Sequence, residues 1–334
     1  MTDCCGASRS SVLPPLAGDA EGRGGRQRDP LRPRVKHGAG SFDAPPPESG
    51  RNEARAATVP AGSFVMGSVD DLSYPGDGEG PLREIELTAF EIDTCAVSND
   101  DFAAFVEDTG YRTESELIGW SFVFAGLLPD DFPPTRGAAD APWWRQVEGA
   151  SWQHPEGPET DIVDRIDHPV VHVSWNDALM YARWAGKLLP TEAQWERGAR
   201  GGLESQPYPW GDELTPGGEH RMNVWQGVFP TENGLEDGWY ATCPVDAYKP
   251  NGLGLFNTTG NVWEWCADWF DVFHDPEPPI NPSGPPDGDL KVLKGGSFLC
   301  HESYCLRYRT AARMALTPDS ATSNTGFRCV RPLD

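Results

Sequence analysis

Two cysteines, Cys300 and Cys305, bracket His301, Glu302, Ser303 and Tyr304 near the C-terminal end of the chain, in the run GGSFLCHESYC. That spacing is wider than the CxxC of redox and zinc-knuckle motifs, and no second cysteine pair lies close by to complete a tetrahedral zinc site. Thiolates are soft ligands, so the pair suits copper(I) or cycling between dithiol and disulfide. Either use requires sulfurs that can be reached. Gly295, Gly296 and Ser297 predict a turn entering an open surface, and Arg307, Arg309 and Arg313 supply positive charge that would lower thiol pKa values. The plainer alternative at this spacing is a structural disulfide or two small buried apolar side chains.

Other residues offer different ligands. Asn223 with Asp237, and Asn257 with Glu264, are hard oxygen donors of the kind calcium takes, set in irregular loops that can turn main-chain carbonyls inward. They match no EF-hand, and Asn and Asp are also ordinary turn residues. His168 and His172 raise the question of an iron site of the HxxxHxE type found in sulfoxide synthases. Pro169 and the valines around it forbid the helix that would aim both rings together, and Ser174 stands where the Glu should be, so structural histidines are expected.

The elements that must position these groups are short. Gly and Pro number 37 and 32 among 334 residues, leaving little room for long helices, while 13 Trp predict an extensive core. Residues 1–57, rich in Arg, Gly and Pro, read as a disordered extension, and residues 58–334 as one domain. The runs TVPAGSFVMGS and REIELTAFEID predict strands. Ser98 or Asn99 caps a helix through Val106 that stops at Gly110. Residues 111–165 read as long loops pinned by aromatics, and 168–175 as a strand. A helix follows from about Asn176 to Ala185, then another opened by a Thr191–Gln194 capping box, and residues 208–268 are again irregular.

The net charge is −24, and residues 1–55 hold nine basic against seven acidic side chains, which leaves 18 of 27 basic and 44 of 51 acidic ones to the remainder. Such an acidic surface repels nucleic acid and anionic membrane, so neither is an expected partner, and it favours solubility. No apolar run approaches a membrane span, and Ser11–Ala17 is too short and Pro-broken for a signal-peptide core. With cysteines mostly scattered singly, a cytoplasmic protein is expected.

Taken together, AGSFVMGS, HPVVHVSWNDA, LPTEAQWERGARGGL, GNVWEWCADW, GGSFLCHESYC, RYRTAAR and SNTGFRCVR resemble the formylglycine-generating enzymes, the sulfatase-modifying factor family, in its aerobic bacterial form. The resemblance runs from about residue 58 to the end. PAGSF-MGS and GNVWEW also occur in non-catalytic relatives, whereas the paired cysteines followed by RYRTAAR are specific. It implies an α+β fold, a single compact domain with low regular secondary structure related to the C-type lectins. It also implies oxidation of the cysteine in a CxPxR motif of an unfolded sulfatase polypeptide or peptide to Cα-formylglycine, with O2 as co-substrate, by a chain expected to be monomeric.

Carried over residue by residue, Cys300 and Cys305 are the catalytic pair that holds Cu(I). Ser297 and Tyr304 line the oxygen pocket, with His301 and Trp263 close to it. One structural Ca2+ would use Asn223, Asp237 and the main-chain oxygens of Val224 and Trp239. A second would use Asn257, Glu264 and the main-chain oxygens of Gly260 and Val262. Two cysteines that form disulfides in the animal enzymes are replaced by Ala199 and Thr310, which implies that Cys329 is a free buried thiol. Copper-free dithiol chemistry, and a lectin-like binding module that has lost the chemistry, are the competing readings.

Overall fold

The computed structural model describes residues 7, 56–138 and 141–333. The expectation of a disordered extension over 1–57 thus falls almost wholly outside the described residues. Regular structure is short and distributed, as the Gly and Pro content predicts. A three-stranded antiparallel sheet joins β1 (Ala56–Val59), β4 (Phe90–Asp93) and β14 (Val330–Pro332), so the two ends of the domain pair through β4. β2 (Gly62–Met66) and β3 (Arg83–Leu87) form a second antiparallel pair.

Among the described residues there are four α-helices, of which α1 and α4 open on the caps that the sequence predicts. α1 (Asn99–Thr109), α2 (Glu114–Ile118), α3 (Trp175–Trp184) and α4 (Glu192–Arg200) each open on a reciprocal capping box, by Ser98 with Asp101, Thr113 with Glu116, Ser174 with Asp177 and Thr191 with Gln194. α1 and α3 meet through Phe102, Phe105 and Tyr181, with Trp152 edge-on to Phe102 at 5.2 Å between ring centroids.

Residues 168–175 are not a strand. Pro169 makes one bridge to Ser98, His172 takes a positive φ of 60° that breaks the extended run, and Ser174 is spent as the cap of α3. Residues 111–165 hold more than loops: besides α2 they carry β5 (Trp120–Phe124), β6 (Gly137–Ala138) and β7 (Ala141–Glu148), with β7 central. Trp120–Phe124 is buried on both faces, so it lacks the clear alternation of a half-exposed strand. β8 (Gly227–Val228) and β9 (Glu232–Asn233) make a small hairpin inside the region expected to be irregular.

The core sheet runs β12 (Arg313–Leu316), β11 (Lys291–Lys294), β10 (Trp263–Trp269), β13 (Thr325–Gly326), with β10 and β13 parallel. β10, also inside that region, is the GNVWEWCADW segment. The indoles of Trp263 and Trp265 belong to a core that includes both Cys300 and Cys305. The cysteines lie in the long connection between β11 and β12, whose ends are opposed in register at Lys294 and Arg313.

Candidate active site

That connection is anchored at its base by buried charge. Lys294, 0 % exposed, places Nζ 2.9 Å from Glu196 and 3.4 Å from Glu192, while Arg313 donates to Glu192 at 2.7 and 2.8 Å. Both carboxylates belong to α4, so the helix holds the two feet of the loop together. Gly295 and Gly296 then turn with φ of 93° and 74°, and a Cβ on Gly296 would lie 2.8 Å from Tyr308 Cα. The chain crosses itself there at a distance only glycine permits.

The loop is stitched to two neighbouring segments through its backbone. Gly260 donates its N–H to the Gly295 carbonyl, Phe298 N–H donates to the Asn261 carbonyl, and Trp225 N–H donates to the Cys300 carbonyl at 3.1 Å. A tight turn completes the geometry: the N–H groups of Tyr304 and Cys305 both donate to the His301 carbonyl. This folds the spacing of five back on itself and brings Cys300 Sγ to 3.3 Å from Cys305 Sγ.

The sulfurs do not face open solvent. Cys300 and Cys305 are 0 % exposed, and every residue from Gly295 to Cys300 is buried, which corrects the expectation of a turn into an open surface. The apolar side chains Phe298 and Leu299 drive the turn inward, and only Glu302 and Ser303 at its tip are exposed. Nor is the pair uncrosslinked, because Cys305 is disulfide-bonded. The 3.3 Å to Cys300 is well beyond the roughly 2.05 Å of an S–S bond. Cys243, Cys266 and Cys329 are free thiols.

Ser297 donates its N–H toward Cys300 Sγ at 3.4 Å, and its Oγ accepts from Asn324 Nδ2 at 2.9 Å. Tyr304 stacks on Phe229 with 4.0 Å between centroids and donates its hydroxyl to the Leu299 carbonyl. His301 shares its Nδ1 with Ser303 Oγ at 2.8 Å on the solvent side of the turn. Trp263 lies in the same core cluster as the two cysteines, fully buried, its main chain tied to Asn324.

Of the three arginines expected to charge the site, only Arg307 reaches it. Its Nη1 lies 4.0 Å from Cys305 Sγ, Asp77 accepts from its Nε at 2.5 Å, and Tyr74 lies 4.3 Å beneath its guanidinium. Arg309 is spent on Glu79 and Arg313 on Glu192. Sequence reading missed Tyr74, Asp77, Phe229 and Asn324. The dense YPGDGEG run and the SNTGF run were visible, but nothing local tied either to the cysteines.

The first set of oxygen donors is gathered in one place. Asp237 accepts from the N–H groups of Val224 and Trp239 at 3.0 and 2.9 Å, and Asn223 Oδ1 is buried with no partner among the described residues. Burial pushes the Asp237 carboxyl up, the direction a bound cation would oppose. These residues fit a hard cation. In the second set Asn257 Oδ1 is likewise buried and unmet, beside Gly260 and Val262, whereas Glu264 gives both oxygens to Arg328 at 2.6 and 2.7 Å and one also to Trp195 at 2.7 Å. A cavity of about 310 Å3 opens beside Asn257, Arg221 and Lys249, and none of its lining residues belongs to the cysteine turn.

His168 and His172 stay apart, bonded to Thr242 Oγ1 and Ser121 Oγ respectively, as expected of structural histidines. No group of three His, Cys, Asp or Glu side chains that could hold a metal occurs among the described residues. No helix among them is long and apolar enough to cross a membrane.

Comparison with known proteins agrees with this architecture. The sequence profile of the sulfatase-modifying factor enzyme 1-like domain matches residues 41–333. A formylglycine-generating enzyme of Thermomonospora curvata is 55 % identical over 296 residues, covering 86 % of this chain and 98 % of the relative. One from Bos taurus is 54 % identical over 273 residues, covering 81 % and 73 %. Among solved structures, PvdO from Pseudomonas aeruginosa superposes with a TM-score of 0.61 at 26 % identity, over 83 % of this chain and 94 % of that one. A profile match over nearly the whole described domain, with relatives above half identity, establishes that this chain belongs to the sulfatase-modifying factor enzyme 1-like domain family.

Proposed function

We propose that the chain is an oxidoreductase that converts the cysteine of a CxPxR motif, in an unfolded sulfatase or a peptide derived from one, to Cα-formylglycine, with O2 as oxidant. The observation that carries this reading is the Cys300–Cys305 sulfur pair at 3.3 Å, held by a buried frame of Ser297, Asn324 and Arg307. The relatives named formylglycine-generating enzymes support it. Two soft sulfurs this close fit a copper(I) ion, and Cys300 and Cys305 would hold it. When bound, the ion would supply one-electron chemistry toward dioxygen at an all-sulfur centre.

The chain's own residues do the rest. The buried walls formed by Phe298, Leu299 and Trp263 keep bulk water from the sulfurs. Arg307, balanced by Asp77, places positive charge beside the Cys305 sulfur. Ser297 Oγ, oriented by Asn324, and the Tyr304 hydroxyl are the groups that position dioxygen or move a proton next to the pair. The acidic surface attracts the Arg of the client motif.

Calcium would be held by Asn223, Asp237 and the carbonyls of Val224 and Trp239, and at the second set by Asn257 with Gly260 and Val262, Glu264 being turned to Arg328. The chain is read as a cytoplasmic monomer. Mass spectrometry of a CxPxR peptide after aerobic incubation with copper-loaded, reduced protein tests the reading. Loss of the thiol mass with gain of an aldehyde supports it, and an unchanged thiol favours a binding module on the same scaffold. Full turnover under a strong copper(I) chelator would support dithiol chemistry without metal.

A further inference from the structure

Three aromatic rings form a near-parallel ladder from the surface to the cysteine loop. Trp210, partly exposed, stacks on Tyr208 with 5.5 Å between centroids and 11° between planes, and Tyr208 stacks on Tyr308 at 6.4 Å and 14°. Both tyrosines are buried in the apolar cluster that holds Cys300 and Cys305, and Trp210 packs against it. The inner rung is fixed to the loop, since a Cβ on Gly296 would meet Tyr308 Cα. The middle rung is fixed as well: Thr310 donates its N–H to the Pro207 carbonyl at 2.9 Å and its Oγ1 to the Gln206 carbonyl at 3.0 Å. Burial first, then Tyr208 and Cys300, hold the Tyr308 hydroxyl above the usual phenol range, so it rests protonated.

The outer rung lines the cavity of about 310 Å3. Arg221 lines it too, with its guanidinium 5.6 Å over the Trp210 ring and its Nε buried without a partner among the described residues. Lys249, paired with Glu219 at 2.7 Å, adds a second positive charge. Thr259, 1 % exposed, contributes a buried hydroxyl that is likewise unmet. On a chain of net charge −24 this is a local site for a small organic anion. We propose that the Trp210–Tyr208–Tyr308 ladder carries electrons from an anionic one-electron donor, seated in the Arg221 cavity, to the buried sulfur site, an inference that rests on that site being the formylglycine-forming centre.

The reaction supplies the need. A client thiol and one O2 reach aldehyde, hydrogen sulfide and water only with two further electrons and two protons. Without them, uptake of a water closes the balance on aldehyde, hydrogen sulfide and hydrogen peroxide. Cys300 and Cys305 are fully buried, so a donor in solution cannot touch them and the electrons must cross protein. Each rung gives an electron toward the site and takes one from its outer neighbour, the tyrosines releasing and regaining the phenolic proton. Two passages, with two donor molecules each oxidised by one electron, complete the reduction of O2 to water.

The test has two readouts, applied to the full chain and its Trp210→Phe, Trp210→Tyr, Tyr208→Phe and Arg221→Gln variants; Phe keeps the ring and the stack while removing the redox-active group. In metal-free protein, azidyl radicals from pulse radiolysis oxidise accessible tryptophan, and transient absorption follows the radical to tyrosine. A tryptophyl-to-tyrosyl phase is expected in the parent and in Arg221→Gln, and its loss in Trp210→Phe and Tyr208→Phe. In copper-loaded, reduced protein turning over a CxPxR peptide with ascorbate as donor, aldehyde, peroxide and oxidised ascorbate are measured together. Trp210→Phe and Tyr208→Phe should release about one peroxide per aldehyde, Trp210→Tyr should restore ascorbate consumption, and Arg221→Gln should raise the KM for ascorbate about tenfold. Phe variants that keep the parent's radical phase and ascorbate stoichiometry would overturn the ladder, and an unchanged ascorbate KM in Arg221→Gln would overturn the docking site. A parent that forms no aldehyde sinks the formylglycine reading, while the radical phase in metal-free protein still decides the ladder.

Discussion

Asn324 donates its side-chain amide to Ser297 Oγ at 2.9 Å, joining the loop that carries the cysteines to the strand pair β10–β13 through two fully buried groups. The same Asn accepts from Thr322 Oγ1 at 2.7 Å, which fixes which end of the amide faces the serine. Ser297 therefore enters the sulfur site with its hydroxyl already oriented. Replacing Asn324 with Ala is expected to lower kcat on a CxPxR peptide by about 10- to 100-fold with KM little changed, because the positioned hydroxyl acts on the reacting atoms and not on client binding. Steady-state kinetics beside a Ser297→Ala variant check it; additive losses in the double variant would show that the two residues do not act as a unit.

The two feet of the cysteine loop depend on α4. Lys294 is wholly buried against Glu192 and Glu196, so Lys294→Met leaves carboxylates short of a cation in the core. A loss of about 3–5 kcal/mol in unfolding free energy is expected, since breaking a buried pair costs more than the pair contributes. Denaturant titration measures it. A variant as stable as the parent would mean Arg200 and Arg313 satisfy both carboxylates alone.

Helices α1, α3 and α4 and the strands β1 to β4 were legible because their signals are local. Ser98, Ser174 and Thr191 each sit three residues before a side chain that returns the cap, and TVPAGSFVMGS breaks into β1 and β2 around Pro60. The sheet of β5, β6 and β7 was not legible, since Trp120–Phe124 is buried on both faces. The cysteine pair could be singled out from residue type, but its burial could not. What buries it is Phe298 and Leu299 turning inward against Trp225 and Phe124, contacts across dozens of residues that no spacing rule encodes. The same holds for Arg307. Three arginines downstream of the pair look alike in sequence, and only the long-range partners Asp77, Glu79 and Glu192 decide which one is left beside a sulfur.

Asn223 and Asn257 each hold a buried side-chain oxygen with no partner among the described residues, close to the segments that tie the cysteine loop down. A cation that meets those oxygens stabilises the folded state by mass action. Chelation with EGTA is expected to lower Tm, and added Ca2+ to restore it, with Asn223→Ala showing a smaller shift than the parent. Differential scanning calorimetry at fixed ionic strength reads this, and a Tm indifferent to chelator and to calcium would count against a structural ion.

Buried acids of opposite behaviour, Glu196 lowered and Asp177 and Asp268 raised, shape the pH profile. Burial alone would raise Glu196, but Lys294 and Arg200 beside it carry its carboxyl down to about 2 from 4.5. Folded protein then binds fewer protons at this site than unfolded protein does. Its contribution is therefore complete above pH 4.5 and is lost as pH falls from there toward 2. Asp177 runs the other way. Burial first, and then the charge of Glu114, raises it from 3.8 to about 7, so its ionisation as pH climbs through that interval weakens the fold. Stability is expected to fall on the acid side as Glu196 is protonated and to fall again between 3.8 and 7 as Asp177 ionises. Glu196→Gln should flatten the acid limb at a cost of about 3 kcal/mol at neutral pH, because Lys294 and Arg200 lose a buried counter-charge. Thermal unfolding followed across pH for the parent and Glu196→Gln separates the cases: an acid limb unchanged in the variant would assign the loss to other carboxylates, and the charge cluster under the cysteine loop would then be indifferent to acid.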